Sequence, residues 1–448
     1  MLSVYLPCSI SARTVSFTSD IAPLLQQRCV SCHGPDKTKG KYRLDTFVAL
    51  MKPGSSEKPS VVPGKPEASL LYQLLTEKSE DDRMPQKSEP FLSSEISLVR
   101  EWIVGGAKFD GVNQSASLVS LRPPPRNVAP PKRYKFPWPV SALTYNHDGT
   151  QLITGGYHEI IFWNATNGMM LNRIGGMPER VHSLVIQSHG QRLTVAGGSP
   201  GRSGELFLLE LNQRAVPASL VVTADSLLCT AFSSDGQRLV TGGADKTIRI
   251  FSIPTGLEIL KLEQHSDWIH GVAFSPDGKW IASASRDRTA RIYDSTNGAS
   301  ISTFREHEAA VESILFHDDG KKVLTSGADR SVRSWDSNEA GKGRSLVKSD
   351  TAITCLHSDG KSVFISMGDG KLSQRNLPEG KESKDLIDLG TRVSSLAMHP
   401  TSGLLAAGTH DGRVCIVDIK TGALLCEFIA SPGFSKPVKK QIKTVVTR

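Results

Sequence analysis

The chain has 448 residues, 38% of them hydrophobic and 22% charged, enough for two or three domains with cores of their own. Its formal charge of +8 mixes both signs along the chain, which reads as solubility, so no nucleic-acid partner is expected. No apolar run approaches the roughly 18 residues of a membrane-spanning helix, so no transmembrane segment is expected either.

Residues 1–16 read as an N-terminal segment, at most the remnant of an export signal. MLSVYLPCSISARTV has no basic start and a short apolar core broken by Pro7, and Leu6-Pro7 lacks the small residue that a lipoprotein site wants before Cys8. Asp20 or Ser19 is then placed to cap a short helix through Pro23, Leu24, Leu25 and Arg28, with Pro tolerated in the first turn. Gly34-Pro35 ends it.

That helix delivers Cys29-Val30-Ser31-Cys32-His33, a C-x-x-C-H motif that reads as covalent attachment of one c-type haem. Two thiols one helical turn apart can each add to a vinyl group on the porphyrin rim. The adjacent His33 then reaches the iron as proximal ligand through a neutral imidazole. A zinc or redox C-x-x-C is the competing reading. It is disfavoured because zinc needs further ligands and the chain has no second C-x-x-C. Attachment of haem to such a motif takes place outside the cytoplasmic membrane, so a periplasmic or otherwise exported protein is expected from the motif itself.

The distal ligand should lie downstream, with Met51 and Met84 as candidates. Met51 ends the apolar stretch Phe47-Val48-Ala49-Leu50 and reads as core packing. Met84 sits in the polar turn Asp81-Asp82-Arg83-Met84-Pro85, where no core helix needs a methionine, and Pro85 holds it out of the helical region. Met84 is therefore the expected distal ligand. Around these residues, Asp45-Thr46 caps a short helix, residues 67–77 carry Leu70, Leu71, Leu74 and Leu75 at helical spacing, and residues 93–104 place Ile96, Val99, Trp102 and Ile103 on one face. The last helix should pack across the first, with Trp102 as the large buried surface. Arg43 and nearby lysines read as solvated charge rather than partners of the haem propionates.

Cys29-Val-Ser-Cys-His-Gly-Pro-Asp36, Tyr42-Arg-Leu-Asp45, Val62-Pro-Gly-Lys-Pro-Glu67, Ser69-Leu-Leu71, Arg83-Met-Pro85 and Trp102-Ile-Val-Gly-Gly-Ala107 together resemble the cytochrome c domain of planctomycete proteins, over residues 17–110. The resemblance implies that Cys29, Cys32 and His33 hold the haem and that Met84 is the distal ligand. It also implies a following WD-repeat propeller, a fusion common in that family.

Residues 111–133 change texture. Pro123-Pro124-Pro125 and Pro130-Pro131 lie among Arg122, Arg126, Lys132 and Arg133, as in a semi-rigid linker. Beyond it the chain repeats. Gly236, Gly278 and Gly320, each closing an Asp-Gly turn, are 42 residues apart; Gly360 follows after 40 and Gly403 after 43. A period near 40–45 with four short strands per unit is the propeller signature. Third strands end at Trp163-Asn164, Phe251-Ser252, Tyr293-Asp294, Trp335-Asp336 and Val417-Asp418. Seven blades are expected near 134–176, 177–222, 223–264, 265–306, 307–348, 349–389 and 390–433.

The fourth and fifth blades most resemble WD repeats, whose structural hydrogen-bond network implies pairs of His265 with Asp287 and His307 with Asp329. Other blades depart from the pattern, with His158 in place of the turn Asp in the first, no such His in the third and Arg375-Asn376 in the sixth, and should hold their edges less firmly. The insertion Gly197-Gly-Ser-Pro-Gly-Arg-Ser-Gly204 reads as an extended hairpin and a contact loop.

The propeller shows little chemistry of its own. His182, His270, His317, His357 and His399 lack metal-ligand spacing, and Cys229, Cys355, Cys415 and Cys426 read as small buried hydrophobes. If Asp418 pairs with Ala423, Cys415 falls opposite Cys426, which opens a cross-strand disulfide in an oxidising compartment. Residues 434–448 form a basic tail.

The fold expected is thus multidomain, a small all-α cytochrome c-like domain followed by an all-β seven-bladed WD40 propeller. The function expected is single-electron transfer by one covalent haem c, with the propeller as a docking platform for a redox protein partner. The alternative is an interaction scaffold whose haem domain senses a ligand or has no redox role. No catalytic residue is expected, because a six-coordinate iron leaves no open position for peroxide.

Overall fold

Among the described residues, short helices build the first part of the chain and strands build the rest. The computed structural model describes residues 15–434 apart from 35–36, 87–88, 111–113, 116–117, 119–128, 188–189, 212–219, 340, 342, 378–381 and 400. Most of the N-terminal segment, Pro35, the middle of the expected linker and all but the first residue of the basic tail therefore lie outside the described residues. The chain divides into two compact units, 1–126 and 127–448.

In the first unit a π-turn, Phe17–Ile21, runs into α1 (Ala22–Arg28) and then α2 (Val30–His33), α3 (Phe47–Leu50), α4 (Leu70–Thr76) and α5 (Ser93–Val104). The expected cap at Asp20 or Ser19 is not used. The chain is already helical at Phe17, Ile21 holds the cap position with no side-chain bond, and the Asp20 carboxylate accepts from Ser16 N (2.9 Å). A preceding turn satisfies the first N–H groups that a cap would otherwise serve. Thr46 does cap α3, its Oγ1 accepting from Ala49 N (3.1 Å). The helix expected over 67–77 is divided into a 3-10 turn at Pro66–Ala68 and α4, because Ser69 leaves the helical region to accept from Val62 N (2.8 Å) and donate to Lys65 O (2.9 Å).

α5 forms over the expected residues. Glu95 accepts from Leu92 N (2.8 Å) at its start, which secures one of the open donors there. Its buried face sets Trp102 against Phe17 (5.3 Å between ring centres) and Phe47 (6.4 Å), while the indole N–H donates to Lys108 O (3.0 Å). Burying an indole of roughly 150–250 Å² at about 25 cal/mol per Å² is worth on the order of 4–6 kcal/mol before entropy. Leu118 was expected in the linker. It is instead fully buried in this core, with its N–H donating to Asp45 O (2.7 Å).

The second unit has seven four-stranded antiparallel sheets, each made of four consecutive strands. They span 143–175, 180–223, 227–262, 269–304, 311–348, 353–388 and 393–429, numbered here as blades 1 to 7. First strands of neighbouring blades meet, which sets them at the propeller axis. Gly236, Gly278 and Gly320 have φ of +65, +70 and +66°, the left-handed conformation that fixes glycine at the repeating turn.

Among the described residues no strand is exchanged to close the ring. Residues 131–140 form the seam with blade 7 instead: Val140 N donates to Thr409 O (3.1 Å), Tyr134 N to Pro432 O (3.0 Å) and Trp138 N to Ser431 Oγ (2.7 Å). Val140, Leu152 and Trp163 share a core with Ala406, Val414 and Ile416 across it. In blade 2 the strands Arg192–Ser199 and Ser203–Glu210 run eight residues each, against five or six in the same places of other blades.

The expected facing of Cys415 and Cys426 does not occur. Asp418 does pair with Ala423, but a bulge between Ile416 and Val417 slips the register by one. Cys426 then faces Ile416 and Cys415 faces Glu427, and both thiols are free. A one-residue slip turns a side chain to the opposite face.

Candidate cofactor site

The motif Cys29 to His33 straddles a break in the backbone. α1 ends at Cys29 (φ −125°, ψ −37°), whose N–H still reaches Leu25 O (2.8 Å), and α2 restarts at once with His33 N donating to Cys29 O (3.0 Å). The loop that follows returns over His33: its carbonyl accepts from Leu44 N (2.9 Å), and its Nδ1 lies 3.2 Å from Tyr42 O. A carbonyl oxygen only accepts, so Nδ1 carries the ring proton and Nε2 keeps its lone pair for a metal.

Cys29, Cys32, His33 and Met84 line one cavity of about 380 Å³, with Leu71 and Leu75 among its apolar walls. That volume lies in the range of small-molecule and cofactor pockets, roughly 300–1,000 Å³. Burial pushes the Cys29 thiol up to about 12, against the opposing pull of Arg28, so it is a neutral thiol at physiological pH. Met84 reaches the cavity from the other side of the sequence. Arg83 N donates to Ser79 O (2.9 Å), Gln86 Nε2 to Asp81 O (2.9 Å), and Met84 N to Leu74 O (2.9 Å), which hangs the methionine on α4. Met51 packs against the core and is absent from the cavity lining. Arg43 makes a two-pronged contact with Asp45 (2.9 and 2.7 Å) and does not line the cavity.

Sequence reasoning missed three residues of this site. Arg28 lines the cavity and is clamped by Glu89 O (3.1 Å), Glu95 (3.4 Å) and the face of Phe91 (5.4 Å). Tyr42 and Ser60 share a buried hydrogen bond at the cavity wall, and the Tyr42 hydroxyl also donates to Leu50 O (3.0 Å). Tyr42 belongs to a motif already visible in the chain, but nothing local foretells that its ring turns inward.

The donor set fits a haem of the c type: two thiols one turn apart, an imidazole with Nε2 free, and a thioether in the same apolar cavity. Among the described residues no three His, Cys, Asp or Glu side chains gather as a metal site, so the zinc reading finds no further ligands.

In the propeller two histidines are bonded at both ring nitrogens. His265 sets Nδ1 against Asp287 (2.8 Å) and Nε2 against Ser283 (2.7 Å); His307 does the same with Asp329 (2.9 Å) and Thr325 (2.8 Å). Blades 1 and 7 have other ties. In blade 1 the fully buried Glu159 is held by Arg173 (2.6 and 2.7 Å) and the Tyr134 hydroxyl (2.7 Å). In blade 7 Arg413 joins Asp411 and Glu427, each at 2.9 Å.

Comparison with known proteins agrees with this division. Residues 29–88 match the family model "Planctomycete cytochrome C", a span that includes all four cavity donors. Residues 219–252, 256–294, 298–336 and 388–418 match "WD domain, G-beta repeat". Two curated plant proteins, "Protein FIZZY-RELATED 3" of Arabidopsis thaliana and "B-type cell cycle switch protein ccs52B" of Medicago truncatula, are each 29% identical over 118 residues, 25% of this chain and 24% of theirs. The chain thus spans about a quarter of the length of the curated relatives it matches.

Proposed function

We propose, from a chain that joins a planctomycete-type cytochrome c domain to a seven-bladed WD-repeat propeller, that this protein is an exported one-electron carrier. The single observation that supports it is the convergence of Cys29, Cys32, His33 and Met84 on one cavity. A haem held there supplies a reversible one-electron couple.

The residues of the chain divide the remaining work. Cys29 and Cys32 anchor the group covalently through their sulfurs. His33, its Nδ1 proton held by the Tyr42 carbonyl, presents Nε2 to the iron, and Met84 offers a soft thioether that favours the reduced metal. Leu71 and Leu75 keep water from the centre, which further favours the less charged state. With His33 and Met84 both holding the iron, the protein would be a carrier rather than a catalyst. The propeller is the platform for a redox protein partner.

A potentiometric titration of the haem-loaded protein tests this reading. A reversible couple with the slope of one electron is expected; an absorption spectrum that cannot be cycled, or turnover with peroxide, would overturn it.

A further inference from the structure

Behind His33 the cavity wall contains a buried polar network with no catalytic group in it. Tyr42 contributes to it twice. Its main-chain oxygen is the acceptor 3.2 Å from His33 Nδ1, and its ring stands edge-on to the imidazole at 5.6 Å between centres. Its hydroxyl is tied to Leu50 O (3.0 Å) at the end of α3 and to Ser60 Oγ. Neighbouring residues reinforce the same strand of chain: Leu44 N donates to His33 O (2.9 Å), and Gly54 approaches so closely that an added Cβ would stand 2.8 Å from Tyr42 Cβ. The phenol is anchored at two points on two separate segments, and the carbonyl that faces His33 is fixed as a result.

We propose that Tyr42 is a positioning residue for the proximal ligand, its hydroxyl holding the main-chain oxygen that fixes the His33 tautomer and so setting the haem potential. The inference rests on the haem-binding reading above, with His33 as the iron ligand. A hydrogen bond from Nδ1 makes an imidazole a stronger electron donor at Nε2, and a stronger donor stabilises the oxidised iron. Releasing the phenol loosens the Tyr42 carbonyl, weakens that bond and favours the reduced state.

The test compares three variants of the full-length, haem-loaded chain by redox titration and thermal unfolding. Tyr42→Phe removes the hydroxyl and keeps the ring; Ser60→Ala removes one of its two partners; Val99→Ala opens the core of the first unit at a buried residue that does not line the cavity. The expected result is an upward shift in potential for Tyr42→Phe, a smaller upward shift for Ser60→Ala, and no shift for Val99→Ala despite a comparable loss of stability. In proton NMR, the shifted signals of the His33 ring should move in the first two variants only. Should Tyr42→Phe lose stability while its potential stays at the wild-type value, or should Val99→Ala shift the potential as much, Tyr42 is ordinary core and the inference falls while the haem reading stands. If Tyr42→Phe does not fold, Ser60→Ala alone decides by the same criterion. A wild-type chain that retains no haem would instead sink the underlying reading.

Discussion

His33 of the first unit and the blade histidines His265 and His307 use their ring nitrogens in opposite ways. In the propeller each ring nitrogen of His265 and His307 has a protein partner within 2.9 Å, and Glu159, though fully buried, is matched by an arginine and a tyrosine. In the first unit His33 spends one nitrogen on the Tyr42 carbonyl, and the two thiols and the thioether face the cavity. What sets the cavity apart from His265 and His307 is the gathering of an imidazole with one unspent nitrogen, two thiols and a thioether around it. The propeller also shows how one task is met by different chemistry. Histidine–aspartate pairs tie blades 4 and 5, while an arginine on a buried glutamate ties blade 1, which no WD match covers, and an arginine between two carboxylates ties blade 7.

The sharpest way to break the comparison is to remove the open donors. Replacing both Cys29 and Cys32 by alanine should abolish haem retention on a denaturing gel and leave the propeller's far-ultraviolet spectrum intact. Met84→Ala should keep the covalent haem but lose the methionine–iron charge-transfer band. The potential should fall by a sizeable part of the roughly 0.8 V that axial ligands span. Met51→Leu, which touches the core and not the cavity, should change neither.

Removing the closed groups should act on stability alone. Arg173→Ala strands the buried Glu159 carboxylate, which costs about 3–5 kcal/mol, and should lower the propeller's unfolding temperature without moving the haem spectrum. Asp287→Asn should cost less, about 1–3 kcal/mol. Its effect depends on pH. Burial raises the Asp287 pKa, but hydrogen bonds from His265 and Thr289 outweigh it and hold the carboxyl well below the usual carboxylate range. A carboxylate depressed in the folded state adds stability above its unfolded value of about 3.9 and loses it as the pH falls below that. The acid limb of the unfolding curve should therefore be shallower in Asp287→Asn than in wild type.

What was legible in the sequence follows from how local each cause is. The spacing of Cys29, Cys32 and His33 is a property of one helical turn, and Met84 stood out because its polar turn has no core to fill. The seven blades were visible because the turn after each first strand ends in a glycine of left-handed conformation, in five of the seven directly after an aspartate. Residues 93–104 announced α5 by their apolar face. The rest depended on distant partners. Asp20 was free to bond Ser16 only because the chain turns helical at Phe17, and Leu118 enters the first core through a bond to Asp45. The bulge at Ile416 and Val417 has no signature in composition, yet it alone decides that Cys415 and Cys426 do not face each other. The Glu159–Arg173–Tyr134 contact joins a third strand, a fourth strand and the seam, so no window of the sequence contains it.

The account stands on the four cavity donors acting together on one haem. An optical spectrum of the protein matured with the cytochrome c assembly machinery, oxidised and reduced, tests this most directly when paired with a haem stain on a denaturing gel. Covalently retained haem, a sharp low-spin reduced spectrum and the weak methionine–iron band are predicted. Covalent haem with a high-spin spectrum would contradict Met84 as a ligand, and a chain without haem would contradict the account altogether.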